Sequence, residues 1–345
     1  MKLSIALVAS FAGVGAFVPS RLSSVTHLHH PPAGASSGCV SSTTTSLNQF
    51  GTLGFDTNNL YSREEVETMR TQNEIIGFLS ETQKPATVLR TDLGTTVLIS
   101  GFDPTDPSST EILDFLNSED SPHFTYSKIV AHVEDAKVAK KRLIGRNARY
   151  TGLLDKLSFS EGASPIPTAE QLAGVSSWVA HVGGGDVARV ADIADAAEGA
   201  ESVKNVAILV SGATGVGGGA LRDAENMLKS KATTFAYTLL VVPEWNDEPE
   251  ALCAFGIVNA TDVEGSPFGT GETFSREESL RIITECLAID KAAGKCVVAS
   301  AAKDANSLEN MLIHGMREIG FKRIEEIEYM VTMGAKVRAG RSIRA

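Results

Sequence analysis

The chain has 345 residues, with 42 acidic against 31 basic side chains and a formal net charge of −11. That length suits one large domain or two small ones, and 43% hydrophobic with 21% charged residues supplies a sizeable core, which excludes a disordered tail or a collagen-like fibre. The acid surplus also excludes a broad basic footprint for nucleic acid or an anionic membrane.

The first 16 residues carry Lys2, an apolar run and small residues ending at Ala16, which is how a cleavable signal peptide is built. This run is too short to span a bilayer stably. Residues 17–55 hold no acid, one arginine (Arg21) and a Ser/Thr tract at 41–46, a transit-peptide composition. Phe17 follows the expected cut, and the tandem arrangement resembles the bipartite presequence of algae with complex red-lineage plastids. That resemblance implies a mature protein inside a plastid (chloroplast). Residues 1–55 contain two basic and no acidic residues, so the remainder carries a net charge of about −13. The expected organisation is a signal peptide at 1–16, a transit peptide or linker at 17–55, a helical extension at 56–90, one α/β domain at 91–334 and a basic tail at 335–345. No transmembrane segment is expected in the mature chain.

After a polar helix-like segment at 62–81, β-rich runs alternate with helical patterns, as in βαβ units feeding a parallel sheet. The strand runs are 95–100, 124–133, a weaker one at 150–157, 175–182, 203–211, 235–242 and 296–301. Helical patterns fall at 108–116, 136–143, 168–172, 186–197, 219–229, 275–289 and 307–319. The helix at 275–289 opens on Ser275-Arg276-Glu277-Glu278, a capping signature. The last residues, with Lys336, Arg338, Arg341 and Arg344, read as a solvated tail. Four cysteines (Cys39, Cys253, Cys286, Cys296) show no C-x-x-C pair and no metal-ligand spacing, and the last three read as buried thiols.

Several stretches, taken in order, carry a resemblance. Ala131-His132-Val133-Glu134-Asp135 followed by Ala139-Lys140 resembles a second strand and its helix. Leu172 to Gly184 resembles a fourth strand with its glycine loop. Residues 186–211, then Ala224-Glu225 with Met227-Leu228, then Tyr237 to Pro243, resemble the helices and strands that follow. Phe274 to Glu278 and Lys295 to Val298 resemble the closing helix and strand. Together they are similar to the NmrA-like group of atypical, extended short-chain dehydrogenase/reductases. The resemblance implies an NAD(P)-binding Rossmann fold: a doubly wound, mainly parallel α/β sheet flanked by helices, with a small C-terminal αβ extension. It also implies cofactor contacts at Gly101, Ser108, Ser109, Glu134, Gly183, Gly184, Ser211 and Gly212.

The departures bear on function. The family's first turn is G-x-x-G-x-x-G, because glycines let the backbone approach a pyrophosphate at a helix N-terminus. Here residues 100–109 read SGFDPTDPSS, with one glycine, two prolines lacking N–H donors and two aspartates. Glu134 stands where an arginine would hold a ribose 2′-phosphate, so NADP is disfavoured and NAD(H) binds weakly or not at all. The proton-relay Tyr-x-x-x-Lys is replaced by Gly217 and Leu221, which cannot titrate.

A competing register takes residues 212–218, GATGVGG, as the phosphate loop, since the run follows a strong strand and opens a helix. His132 and His181 read as structural histidines, since no Ser, Cys or Asp partner is fixed by sequence; Trp178 and Trp245 read as core or rim aromatics. The leading expectation is a plastid pseudoenzyme: a binding, scaffold or assembly factor with protein partners, no catalytic residues, no metal and no nucleic acid. The alternative is an NAD(P)-dependent reductase or isomerase holding its cofactor through Gly183–Gly185 and residues 212–219. RNA binding, as some plastid relatives of the fold show, is set against the acidic balance.

Overall fold

A computed structural model describes residues 76–77, 87–118, 121–144, 152–249, 254–302 and 307–339. The presequence, most of segment 62–81, Cys39, Cys253, Arg341 and Arg344 lie outside these residues. In chain order the elements are β1 (Thr96–Ser100), α1 (Pro107–Asn117), β2 (Lys128–Val133), α2 (Ala136–Leu143), α3 (Leu153–Lys156), β3 (Leu157–Glu161), β4 (Ser177–Val182), α4 (Val190–Glu198), β5 (Asn205–Val210), α5 (Gly218–Lys231) and β6 (Ala236–Val241). There follow β7 (Glu244–Asn246), β8 (Phe255–Asn259), β9 (Thr273–Ser275), α6 (Arg276–Ala288), β10 (Lys295–Ala301), α7 (Leu308–Glu318) and α8 (Arg323–Ala339).

Eight strands form one sheet in the order β3-β2-β1-β4-β5-β6-β10-β8, parallel throughout except for β8, which runs antiparallel to β10. β7 and β9 form a separate two-stranded ribbon. β1 pairs with β2 on one side (Val97 opposite Ile129) and with β4 on the other (Val97 opposite Ser177). β1 is therefore a central parallel strand, and the sheet is of Rossmann type. The strand order turns back at β1: β2 and β3 lie to one side, and the chain then crosses to β4. The crevice beyond the carboxyl ends of β1 and β4 is the switch point at which such sheets bind ligands.

The sheet forms here because its strands are apolar on both faces. All six residues of β5 are buried. Val206, Ile208 and Val210 pack toward Ile193 of α4 and Leu221 and Leu228 of α5. Ala207 and Leu209 pack on the opposite face, with Ile112 and Leu116 of α1 and Ile283 and Leu287 of α6. Side-chain caps set several helix starts: Asp135 accepts from Lys137 N and Val138 N, Ser275 from Glu278 N, and Ser307 from Asn310 N. Cys286 and Cys296 are buried free thiols, and burial raises both pKa values. Among the described residues no helix is long and apolar enough to cross a membrane, and no cluster of metal-ligating side chains occurs.

Some expectations are corrected. The weak strand at 150–157 is displaced: Leu153–Lys156 is a helical turn and the strand is Leu157–Glu161. Polar Ser158 and Ser160 alternate along this edge strand and hide its apolar signal. Residues 168–172 form a turn, with Thr168 N donating to Gln171 Oε1. The run at 124–133 begins as a 3₁₀ turn, Pro122–Thr125, because Pro122 and the Ser121 cap start a turn before the strand. At the other end of the chain, Lys336 and Arg338 belong to helix α8. Near its start, Arg323 pairs with the buried carboxylates of Glu278 and Glu326.

Candidate functional site

The turn after β1 sits at the switch point, and its own side chains satisfy it. Gly101 has φ +81°, and a Cβ there would meet His181 O at 2.0 Å, so only glycine fits. Asp103 accepts from Thr105 N and Thr105 Oγ1, both at 2.8 Å, and the backbone bond chiefly holds its carboxyl below the usual range. Its backbone oxygen accepts from Asp106 N at 2.9 Å and from the Ser109 hydroxyl. Asp106 is the N-cap of α1. Its carboxylate accepts from Ser108 N at 2.8 Å, Pro107 has no N–H, and Ser109 N donates to Asp106 O at 3.2 Å. At the start of the helix Ser108 N and Ser109 N are thus taken and Pro107 offers none, and a built-in anion complements the helix dipole. Ser108 and Ser109 are buried.

Glu134 follows β2 and lines a cavity of about 290 Å³ with Gly101, Phe102, Asp103, His132 and Ser164. An open groove continues past Asp135, Lys137 and Glu161. Four carboxylates against one ammonium make this groove hostile to phosphate, whereas Glu134 can accept from ribose hydroxyls. His132 is structural: Nε2 donates to Ser164 O at 2.9 Å, leaving Nδ1 to face Ser160 Oγ at 3.4 Å.

Four N–H donors of the glycine loops are used within the fold. Gly185 N bonds Ser211 O, Gly212 N bonds Pro243 O, Ala213 N bonds Val242 O and Gly218 N bonds Gly265 O. A Cβ at Gly218 would meet Val263 O at 2.4 Å. This loop follows β5, which lies between β4 and β6 away from the switch point. The 212–218 loop thus stands two strands away from the central strand β1, whereas the turn at 100–109 follows β1 directly. Gly217 caps α5 and Leu221 is buried, so nothing titratable stands at the relay position.

At the carboxyl ends of β4 and β5 the structure joins residues that sequence reasoning kept apart. The His181 ring stacks on Phe102 (centroids 5.1 Å apart) and on Trp245 (4.7 Å). Its Nδ1 lies 3.0 Å from Gly101 O and its Nε2 2.9 Å from Ser211 Oγ. A carbonyl only accepts, so Nδ1 carries the proton, and Ser211 Oγ–H donates to Nε2. Burial chiefly lowers the His181 pKa, favouring the neutral ring. Gly183 and Gly184 are exposed beside this pair. Trp178 is core, with Nε1 bonded to Ser100 Oγ at 2.9 Å.

No protein-family profile matches the chain, and no curated protein does. Among solved structures it is similar to a Rossmann-fold NAD(P)-binding family protein from Shigella flexneri (16% identity, TM-score 0.43, covering 61% of this chain and 94% of that one). It is also similar to an NADPH-dependent quinone oxidoreductase from Escherichia coli (13%, 0.34, 70% and 89%). A third similar structure is of the pinoresinol-lariciresinol and phenylcoumaran benzylic ether reductases (11%, 0.36, 71% and 89%).

Proposed function

We propose that this is a plastid Rossmann-type protein that works as a binding or assembly factor for other proteins and does not carry out nicotinamide-nucleotide chemistry. The observation that supports this reading is the α1 N-terminus, where Asp106 takes Ser108 N and Pro107 supplies no donor. Lost hydrogen bonds of roughly 1–3 kcal/mol each and carboxylate repulsion of about 1 kcal/mol weaken a micromolar cofactor by several orders of magnitude.

Titrating the purified chain with NADPH is expected to show no binding below about millimolar, and NADH at best weak binding through Glu134. Glycine at both Asp103 and Asp106 should raise nucleotide affinity while removing a helix cap worth about 1 kcal/mol. Tight NADPH binding by the unaltered chain would reverse the reading. One observation favours a second reading, an NAD-dependent reductase or isomerase: Glu134 lines a cavity at the end of β2. Micromolar NADH binding lost in Glu134→Ala would support it.

The location is part of the proposal and rests on the presequence composition. A reporter carrying residues 1–55 should enter the plastid. Export of the reporter to the medium would remove the plastid from the reading.

A further inference from the structure

We propose that Ser211 and His181 form a nucleophile–base pair that transfers the acyl group of small, uncharged esters or thioesters to water. This goes beyond the binding role above and uses other atoms, so NADPH titration does not bear on it. Three features of the site carry it. First, the Gly101 carbonyl fixes the imidazole tautomer, placing the Nε2 lone pair 2.9 Å from Ser211 Oγ, as a general base requires. Second, Phe102 and Trp245 both stack on the ring, which restrains the orientation of the base. Third, the loop that follows His181 carries unused donors. Gly183 and Gly184 N–H donate to no group among the described residues. A Cβ on Gly183 would lie 3.9 Å from His181 Cε1, and one on Gly212 would lie 3.2 Å from Gly184 N. Among the described residues the buried Trp245 Nε1–H also has no partner. A carbonyl oxygen gaining negative charge is the acceptor such donors suit.

In the first step Ser211 Oγ bonds to the carbonyl carbon while its proton moves to His181 Nε2. The bond to the leaving alcohol or thiol then breaks, and the leaving group takes that proton. Water, deprotonated by the same nitrogen, releases the acid and restores the serine. The substrate class follows from access and charge. Ser211 is 6% exposed, so a bulky acyl group is excluded, and Glu244 Oε1 approaches Gly212 closely enough to disfavour anions.

The test treats the full chain with an alkyl fluorophosphonate, maps the adduct by peptide mass spectrometry, and follows p-nitrophenyl acetate turnover. The expected result is a single adduct on Ser211, and turnover falling by about 10²-fold or more in Ser211→Ala and in His181→Gln. Because burial holds His181 neutral, the rate should also keep its plateau below pH 6.5. Labelling of the unaltered chain needs no variant to fold. No adduct on Ser211 while a control esterase is labelled, or equal turnover in folded Ser211→Ala, overturns the proposal.

Discussion

Replacing Arg90 with alanine is expected to cost about 3–5 kcal/mol of folding stability, a large part of what holds a domain together. Arg90 is 6% exposed, in the segment before β1, and its guanidinium is shared among four acceptors. Nε donates to Ile289 O at 3.1 Å, one terminal nitrogen to Asn205 Oδ1 at 3.0 Å, and the other to Thr238 Oγ1 and Cys286 O at 3.1 and 3.3 Å. Truncation leaves carbonyl and amide oxygens buried without a donor, at roughly 1–3 kcal/mol each, and opens a cavity. Relief of the buried charge offsets part of this. Arg90→Lys keeps the charge but cannot reach all four acceptors, and should lose about half as much. Denaturant unfolding reads both losses as a lower midpoint at unchanged slope. A loss under about 1 kcal/mol in Arg90→Ala would show that the anchor is dispensable.

Acid should destabilise the fold through His123. This side chain is fully buried, its Nε2 lies 2.7 Å from Thr284 O and its ring stacks on Tyr126. Burial chiefly, with the nearby Arg281 charge, lowers its pKa from 6.5 to about 4. Between those values the unfolded chain binds a proton that the folded chain refuses. Stability is thus fully present above pH 6.5 and is lost as pH falls toward 4, by about 3 kcal/mol in all. His181, also lowered, acts in the same direction. His123→Gln keeps an N–H for Thr284 but cannot titrate, so its unfolding free energy should depend less steeply on pH in that window. An unchanged slope would refute the assignment.

Much of the fold was legible because the strands β1, β4, β5 and β6 are short apolar runs bounded by turn residues, and their order leaves few topologies. What escaped was whatever neighbours decide. β8 and α8 owe their places to the edge they cover. α8 packs Ile324, Ile327, Met330 and Val331 on the core, and its buried Glu326 and Glu328 disguise the inner face. At the site, residues 100–109 announced their lack of donors through two prolines and two aspartates. The Ser211–His181 contact did not show, because it spans 30 residues and depends on register. The usable signal was that both side chains lie at the carboxyl ends of adjacent parallel strands, where Val182 stands opposite Val210.

The Arg90 anchor also sets an order of events for a newly made chain. Its partners lie 115 to 199 residues further along, at Asn205, Thr238, Cys286 and Ile289. Leu89 likewise bridges to Ile289, and Asp290 N bonds Val88 O. An N-terminal part released ahead of the rest therefore waits, with an open guanidinium and an unclosed core, until α6 emerges. Contacts of such long separation slow the final closure and make it cooperative.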